Sequence, residues 1–66
     1  MKVFVNDSEQ NFNDKISIVH LLSKVASDAK GIAVAVNNSV IPKSQWSFFQ
    51  LKENDKVIII KATQGG

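Results

Sequence analysis

One stretch near the end of the chain constrains the fold more than any other. Residues 56–62 form an apolar run that is typical of a β-strand. Val57 and Ile59 fall on one face of this strand. Ile58 and Ile60 fall on the other, because successive side chains in a strand alternate. Such a strand is covered on both sides or lies at the centre of its sheet.

The length of the chain sets what can cover that strand. A chain of 66 residues forms one domain at most. It has no Cys, so no disulfide stabilises it and no thiolate can bind a metal or act as a nucleophile. Its hydrophobic content of 44% is enough for a compact core, which argues against disorder. Only one helix is predicted, and since it covers one sheet face, we expect the other to be partly exposed or covered by a partner.

That helix is predicted over residues 17–29. Ser17 is a plausible N-cap, and Gly31 suits a left-handed C-terminal cap. His20 lies nearly opposite the apolar stripe, so we expect it to be solvent-exposed and do not assign it as a base or ligand. The apolar stripe at helical spacing comprises Ile18, Leu21, Leu22, Val25 and Ala29.

The remaining strands are shorter. Residues 1–6 and 10–14 are predicted to pair as an N-terminal hairpin across a turn at 6–9. Residues 32–37 form a third strand, and a turn at 37–39 leads to a short extended segment at 40–41. The aromatic residues that follow are expected to close one end of the core: Trp46, Phe48 and Phe49.

The order strand, strand, helix, strand, short segment, strand predicts an α+β domain with two layers. It resembles the β-grasp (ubiquitin-like) arrangement, a mixed sheet of four to five strands with one main helix packed on one face. The first and last strands would lie parallel at the sheet centre. We assign residues 1–62 to this domain and residues 63–66 to a flexible C-terminal tail.

Composition argues against several classes of function. The net charge is +2, and it comes from eight Lys that are scattered singly, with no Arg. Nucleic-acid binding usually relies on Arg, so we expect no nucleic-acid partner. No signal peptide is evident and no apolar run approaches the ~20 residues that span a bilayer, so we expect a cytoplasmic protein without membrane contact. The carboxylates have no metal-ligand spacing, and no nucleophile, base and oxyanion site come together, so an enzyme is disfavoured.

The tail ends in Gly65-Gly66, which would place a free carboxylate on Gly66. Gly is about 7% of residues, so a terminal pair arises by chance in roughly one chain in 200. Because Gly lacks a Cβ, the pair can enter a narrow slot on another protein. Thr63 and Gln64 would extend this arm.

Short stretches over nearly the whole chain also carry a family resemblance. They are Phe4-Val5-Asn6-Asp7, Val19-His20-Leu21-Leu22, Ala35-Val36-Asn37, Val40-Ile41-Pro42-Lys43, Gln45-Trp46, Asp55-Lys56-Val57 and Gly65-Gly66. In these the chain resembles the ubiquitin-like sulfur carriers, and within them the ThiS family of thiamin biosynthesis. Two positions depart from the family pattern: Lys43 stands where Arg is common, and Gln64 stands where a small residue is frequent.

The resemblance implies a chemistry for the tail. A ThiF-like adenylyltransferase would use ATP with Mg to adenylate the Gly66 carboxylate, while the carrier itself binds no cofactor. Sulfur from a partner's cysteine persulfide, supplied by a cysteine desulfurase or another donor, would then give a Gly66 thiocarboxylate. A ThiG-like thiazole synthase would receive the sulfur. The carrier is a protein cosubstrate in this scheme, with Gly65, Gln64 and Thr63 giving access to Gly66.

The sheet face away from the helix is the candidate docking surface, because contiguous exposed apolar residues mark interaction sites. Its predicted members, which we call the open-face patch, are Phe4, Ala33, Ala35, Ile58 and Ile60. Three alternatives share the Gly-Gly end or the small size. They are the small subunit of molybdopterin synthase, a ubiquitin-like modifier of lysines, and a small binding module that ends in Gly-Gly by accident.

Overall fold

A computed structural model describes residues 1–25 and 31–61; residues 26–30 and 62–66 lie outside it. A short 3₁₀ helix at Lys43–Gln45 follows the fourth strand. The other elements of the described ranges are β1 (Lys2–Val5), β2 (Ser8–Asn11), α1 (Ile18–Val25), β3 (Ile32–Val36), β4 (Ser39–Ile41) and β5 (Lys56–Lys61).

The strands of the described ranges form one mixed sheet of five, in the order β2-β1-β5-β3-β4. β1 and β5 are parallel, and the β1–β2, β3–β4 and β3–β5 pairs are antiparallel. The last strand therefore lies at the centre, beside the first, as its apolar sequence predicted. This architecture confirms the predicted β-grasp fold.

The core lies between one face of this sheet and α1. Val3, Val34 and Val57 come from three adjacent strands, and Ile18 and Leu21 come from the helix; all five are almost completely buried. Each such side chain contributes about 1.5–3 kcal/mol on removal from water. A single helix therefore closes one face of the sheet and leaves the other without a layer in the described part of the chain.

The helix begins as predicted. The backbone N–H of His20 donates to the Ser17 Oγ at 3.2 Å, which is the N-cap contact expected from the sequence. His20 is exposed, also as predicted. The apolar stripe is confirmed at Ile18, Leu21 and Leu22, but Val25, the last described residue of the helix, is 38% exposed. Ala29 lies outside the described residues.

Two hairpin turns share one geometry. Asn6 and Asp7 have φ of 50° and 68°, and Asn37 and Asn38 have φ of 51° and 72°. Each pair is the centre of a two-residue connection, since Val5 pairs with Ser8 and Val36 with Ser39. Positive φ at both central residues defines the type I′ turn, which suits the right-handed twist of the paired strands.

The tight first turn corrects the prediction of the second strand. A turn over residues 6–9 was expected, with the strand at 10–14, but β2 starts at Ser8 and ends at Asn11. Because the turn has only two residues, β2 begins to pair with β1 at Ser8. The last pair joins Asn11 to Lys2, the first residue of β1, so β2 ends there. Phe12 lies beyond the strand and packs against the core.

The aromatic prediction is confirmed in part. Trp46 is buried, and its Nε1–H donates to the Ile41 carbonyl at 2.9 Å. Phe49 packs against the core, but Phe48 is 68% exposed. The N–H groups of both Phe residues bond to the Gln45 carbonyl, and in so tight a turn adjacent side chains point apart. Only one of the two can therefore face the core.

Candidate functional site

The open face of the sheet brings the predicted patch residues together. The β3–β5 register pairs Ala33 with Ile60 and Ala35 with Ile58. Directly opposed side chains lie on the same face of a sheet. Ile60 is 54% exposed and Ile58 is 36% exposed, whereas their neighbour Val57 on the opposite face is buried. These four residues of the open-face patch therefore form one contiguous apolar surface over two central strands.

Phe4 extends this surface onto β1. It pairs with Lys56 in the parallel β1–β5 register, so both side chains share the open face. Phe4 is half-buried, and the Nζ of Lys2 lies 5.5 Å from its ring centroid. Glu9 pairs with Phe4 from β2. The end of the patch beside the start of β5 is thus flanked by two ammonium groups and one carboxylate.

One exposed residue of this face was missed in the sequence. Val40 of β4 pairs with Ala35 and is 74% exposed. Val40, Ala35 and Ile58 form a row across three strands, with the small Ala between two larger side chains. The sequence did contain a signal for Val40, because a two-residue turn at Asn37 and Asn38 sets the Ala35–Val40 pairing.

The C-terminal tail itself lies outside the described residues. Thr63, Gln64, Gly65 and Gly66 therefore keep the roles predicted from the sequence. What the structure describes is the base of the tail, which is β5 up to Lys61. Lys61 pairs with Ile32 of β3, so one edge of β5 is held to its last residue.

The other edge of β5 is held differently. β1 pairs with β5 only at Lys56 and Val57. Beyond that point, the Oδ1 of Asn6 accepts from the Ile59 N–H at 2.8 Å, and the Asn6 Nδ2 donates to the Ile59 carbonyl at 3.3 Å. The Asn6 N–H also donates to the Val57 carbonyl at 2.9 Å. Beside the end of β5, where β1 no longer pairs, the Asn6 side-chain amide thus makes the hydrogen bonds that a further β1 residue would make.

A second Asn makes a similar contact at the start of β5. The Asn37 Oδ1 accepts from the Lys56 N–H at 3.0 Å, and the Asn37 N–H donates to the Lys56 carbonyl at 2.8 Å. Its Nδ2 donates to the Asp55 Oδ1 at 3.0 Å. Sequence reasoning assigned both Asn residues to turns and missed these contacts, because side-chain bonds to a distant strand leave no local pattern.

The described residues contain no group of three or more His, Cys, Asp or Glu side chains able to hold a metal ion. Among the helices of residues 1–25 and 31–61, none has the length and apolar character needed to cross a bilayer. What the described part does present is an apolar face that leads to the base of the tail. This arrangement suits binding to another protein.

Comparison with known proteins identifies the family to which the sequence is similar. The ThiS family model matches residues 1–66. A thiazole synthase from Paramagnetospirillum magneticum is 30% identical over 66 residues, which is all of this chain but only 20% of that protein. The chain therefore spans about one fifth of the length of that relative. The sulfur carrier protein ThiS of Escherichia coli is 23% identical over 66 residues, with both chains covered completely.

Two solved structures share the fold. The crystal structure of the thiamine biosynthesis protein ThiS from Geobacter metallireducens matches with a TM-score of 0.86 and 22% identity, over 100% of both chains. A solution NMR structure of a thiamine biosynthesis protein from the same organism matches with a TM-score of 0.79 and 20% identity, over 100% of this chain and 88% of that one. At these identities the likeness establishes the shared architecture.

Proposed function

Because the chain belongs to the ThiS family, we propose that it is a sulfur carrier protein of thiamin biosynthesis. The observation that carries this proposal is the family match over residues 1–66, which include the Gly65-Gly66 end. In this role the protein is a cosubstrate, and the partner enzymes supply the catalytic sites. Its reactive group is the carboxylate of Gly66.

The chemistry follows from the low reactivity of a carboxylate. A carboxylate resists nucleophilic attack because of its charge and resonance, so it must first gain a leaving group. The Gly66 carboxylate attacks the α-phosphorus of Mg-ATP on a ThiF-like adenylyltransferase, which releases pyrophosphate and forms an acyl-adenylate. The terminal sulfur of a cysteine persulfide then attacks the acyl carbon, and AMP leaves. A second thiol cleaves the sulfur–sulfur bond, which yields the thiocarboxylate and a disulfide.

A thiazole synthase is the proposed recipient of this sulfur. The relative named thiazole synthase contains, within one polypeptide, a stretch similar to this whole chain. Joining two modules in one chain raises their effective concentration for each other, to about the millimolar range with short flexible linkers. Such a fusion is expected where a carrier and its acceptor act together. A cysteine desulfurase or another persulfide donor supplies the sulfur. We infer a cytoplasmic location, because the adenylation step needs ATP.

The open-face patch is the proposed docking surface for these enzymes. Its residue Ile60 is 54% exposed and directly precedes Lys61, the last described residue of β5. An enzyme that covers the patch therefore holds the base of the tail at its own surface. Val40 adds to the same face and is expected to contact the partner as well. Contiguous apolar surface of this kind is a mark of protein–protein contact.

Mass spectrometry of the protein purified from its native cells tests the proposal. Under thiamin starvation we expect a mass gain equal to the replacement of one oxygen by sulfur, localised to the C-terminal peptide. The control is a chain without Gly65 and Gly66, which should show no gain. If the intact protein stays unmodified with both partner enzymes present, the proposal is wrong. Isopeptide-linked products would instead indicate a protein modifier.

A further inference from the structure

We propose that Asn6 is a positioning residue: its carboxamide holds the backbone of β5 at Ile59 and so directs the C-terminal tail into the adenylating enzyme. This inference rests on the proposed function, since it concerns how the tail is presented. Asn6 lies in the turn between β1 and β2 and is far from Gly66 in sequence.

The need for such a residue follows from the sheet register. β1 pairs with β5 only through Phe4 with Lys56 and Val5 with Val57, after which the Asn6-Asp7 turn leads into β2. Ile59 therefore lies beyond the end of β1. Its N–H and C=O point towards the missing strand, and there the Asn6 carboxamide accepts at 2.8 Å and donates at 3.3 Å. The side chain reproduces the pair of bonds that a further β1 residue would make.

The identity of the residue fits two demands at once. The position has φ of 50°, which Asn, Asp and Gly adopt more readily than other residues. The contact with Ile59 needs a donor and an acceptor on one short planar group. Asn has both, whereas Asp lacks the donor and Gly has no side chain. Asn6 is therefore the small turn residue that also completes the β5 edge.

Both Asn6 bonds to Ile59 are solvent-exposed, so they add little to the stability of the whole domain. Their effect is local. Without them, the contacts of the described residues hold the last part of β5 along the β3 edge alone, through pairs such as Ile32 with Lys61. The end of β5 moves more when it is hydrogen-bonded along one edge than when it is hydrogen-bonded along both. Because productive reaction needs the attacking group within a narrow range of positions, a looser base lowers turnover.

The chain offers a matched control in Asn37. Asn37 is also the first residue of a type I′ turn, with φ of 51°, and its Oδ1 accepts from a β5 backbone N–H at 3.0 Å. That N–H belongs to Lys56, at the start of β5 and at the other end of the strand from Lys61. Loss of the Asn37 side chain therefore loosens the same strand at its other end, and it also removes the bond from the Asn37 Nδ2 to the Asp55 Oδ1.

The experiment compares Asn6→Gly and Asn37→Gly in the full chain. Gly keeps the positive φ of each turn and removes the carboxamide. Amide hydrogen exchange is measured by NMR, and steady-state adenylation is measured with a ThiF-like adenylyltransferase and Mg-ATP. For Asn6→Gly we expect exchange at Ile59 to accelerate at least about tenfold and kcat to fall about tenfold, since small misplacements of a reacting group cost up to about 10²-fold. KM should stay within about twofold, since docking on the open-face patch is intact.

For Asn37→Gly we expect faster exchange at Lys56 and a kcat close to wild type. The inference is wrong if Asn6→Gly exposes the Ile59 amide while kcat stays at the wild-type value, or if both variants lower kcat equally. If Asn6→Gly does not fold, Asn6→Asp decides the matter. It keeps the acceptor for the Ile59 N–H and loses the donor to the Ile59 carbonyl, so its kcat should be lower than that of the wild type, and an unchanged kcat would contradict the inference. A wild-type chain that is not adenylated refutes the proposed function instead, and the exchange data then still decide whether Asn6 holds Ile59.

Discussion

The carboxylate of Asp55 accepts a hydrogen bond from the Asn37 Nδ2 at 3.0 Å, and this contact joins the β3–β4 turn to the loop before β5. Asp55 is 9% exposed, and its other oxygen accepts from the Lys52 N–H at 2.8 Å. The Asp55 carbonyl in turn accepts from the Phe4 N–H at 2.9 Å. One residue thus organises the point where the central strand enters the sheet.

The first prediction concerns that carboxylate. Asp55→Ala should lower the free energy of unfolding by about 1–3 kcal/mol, because two partly buried donors, the Asn37 Nδ2 and the Lys52 N–H, lose their acceptor. Urea denaturation followed by circular dichroism measures the change. Glu53→Ala is the control, since its carboxylate makes a solvent-exposed bond to the Lys2 N–H and should matter far less. Equal stability of Asp55→Ala and wild type would show that the Asp55 bonds are not important.

The second prediction tests the docking surface. Ile60→Asp should weaken binding to the adenylyltransferase at least tenfold, because central apolar residues of an interface contribute about 2 kcal/mol or more. Ile60 is 54% exposed, so the fold should tolerate the change. Isothermal titration calorimetry gives Kd. Phe48→Asp is the matched control, because Phe48 is 68% exposed but belongs to the turn beside the helix. If Phe48→Asp weakens binding and Ile60→Asp does not, the docking surface is on the helix side.

The third prediction concerns the start of the helix. Ser17→Ala should destabilise the domain by about 1 kcal/mol, because the His20 N–H loses its cap. Thermal unfolding should show a lower Tm. Ser23→Ala is the control: the Ser23 Oγ donates back to the His20 carbonyl within the helix, at 2.6 Å, and such bonds do not stabilise helices. A Tm loss in Ser23→Ala as large as that in Ser17→Ala would contradict the capping role.

The features that could be predicted are those with a local pattern. The alternation Val57-Ile58-Ile59-Ile60 identified a central strand, and helical spacing with Ser17 at its start identified α1. The open-face patch followed from the same alternation. Its extension to Val40 was missed because the turn was predicted over residues 37–39, whereas a two-residue turn at 37–38 sets the Ala35–Val40 pair.

Features that depend on distant contacts gave no signal in the sequence. The Asn6 carboxamide bonds to Ile59, which lies 53 positions away in the chain. Spacing and periodicity describe neighbours within a few positions, so such a bond has no pattern to reveal it. The exposure of Phe48 was missed for a different reason: Phe48 and Phe49 are adjacent in one tight turn, and only one of the two side chains can face the core.

The last prediction concerns the length of the tail. Deletion of Gly65 and Gly66 leaves a chain that ends in the carboxylate of Gln64, so the chemical group is kept and only its reach changes. Two residues span up to about 7 Å, which is far more than the tolerance for attack on a bound phosphate. Pyrophosphate release by the adenylyltransferase should therefore fall to background. The Tm should not change, because the strand pairs that the structure describes lie within residues 2–61. Gly65→Ala keeps the length and adds one Cβ, so it should slow adenylation without abolishing it if the slot is narrow. Wild-type adenylation of the shortened chain would show that the Gly pair is not what the enzyme recognises.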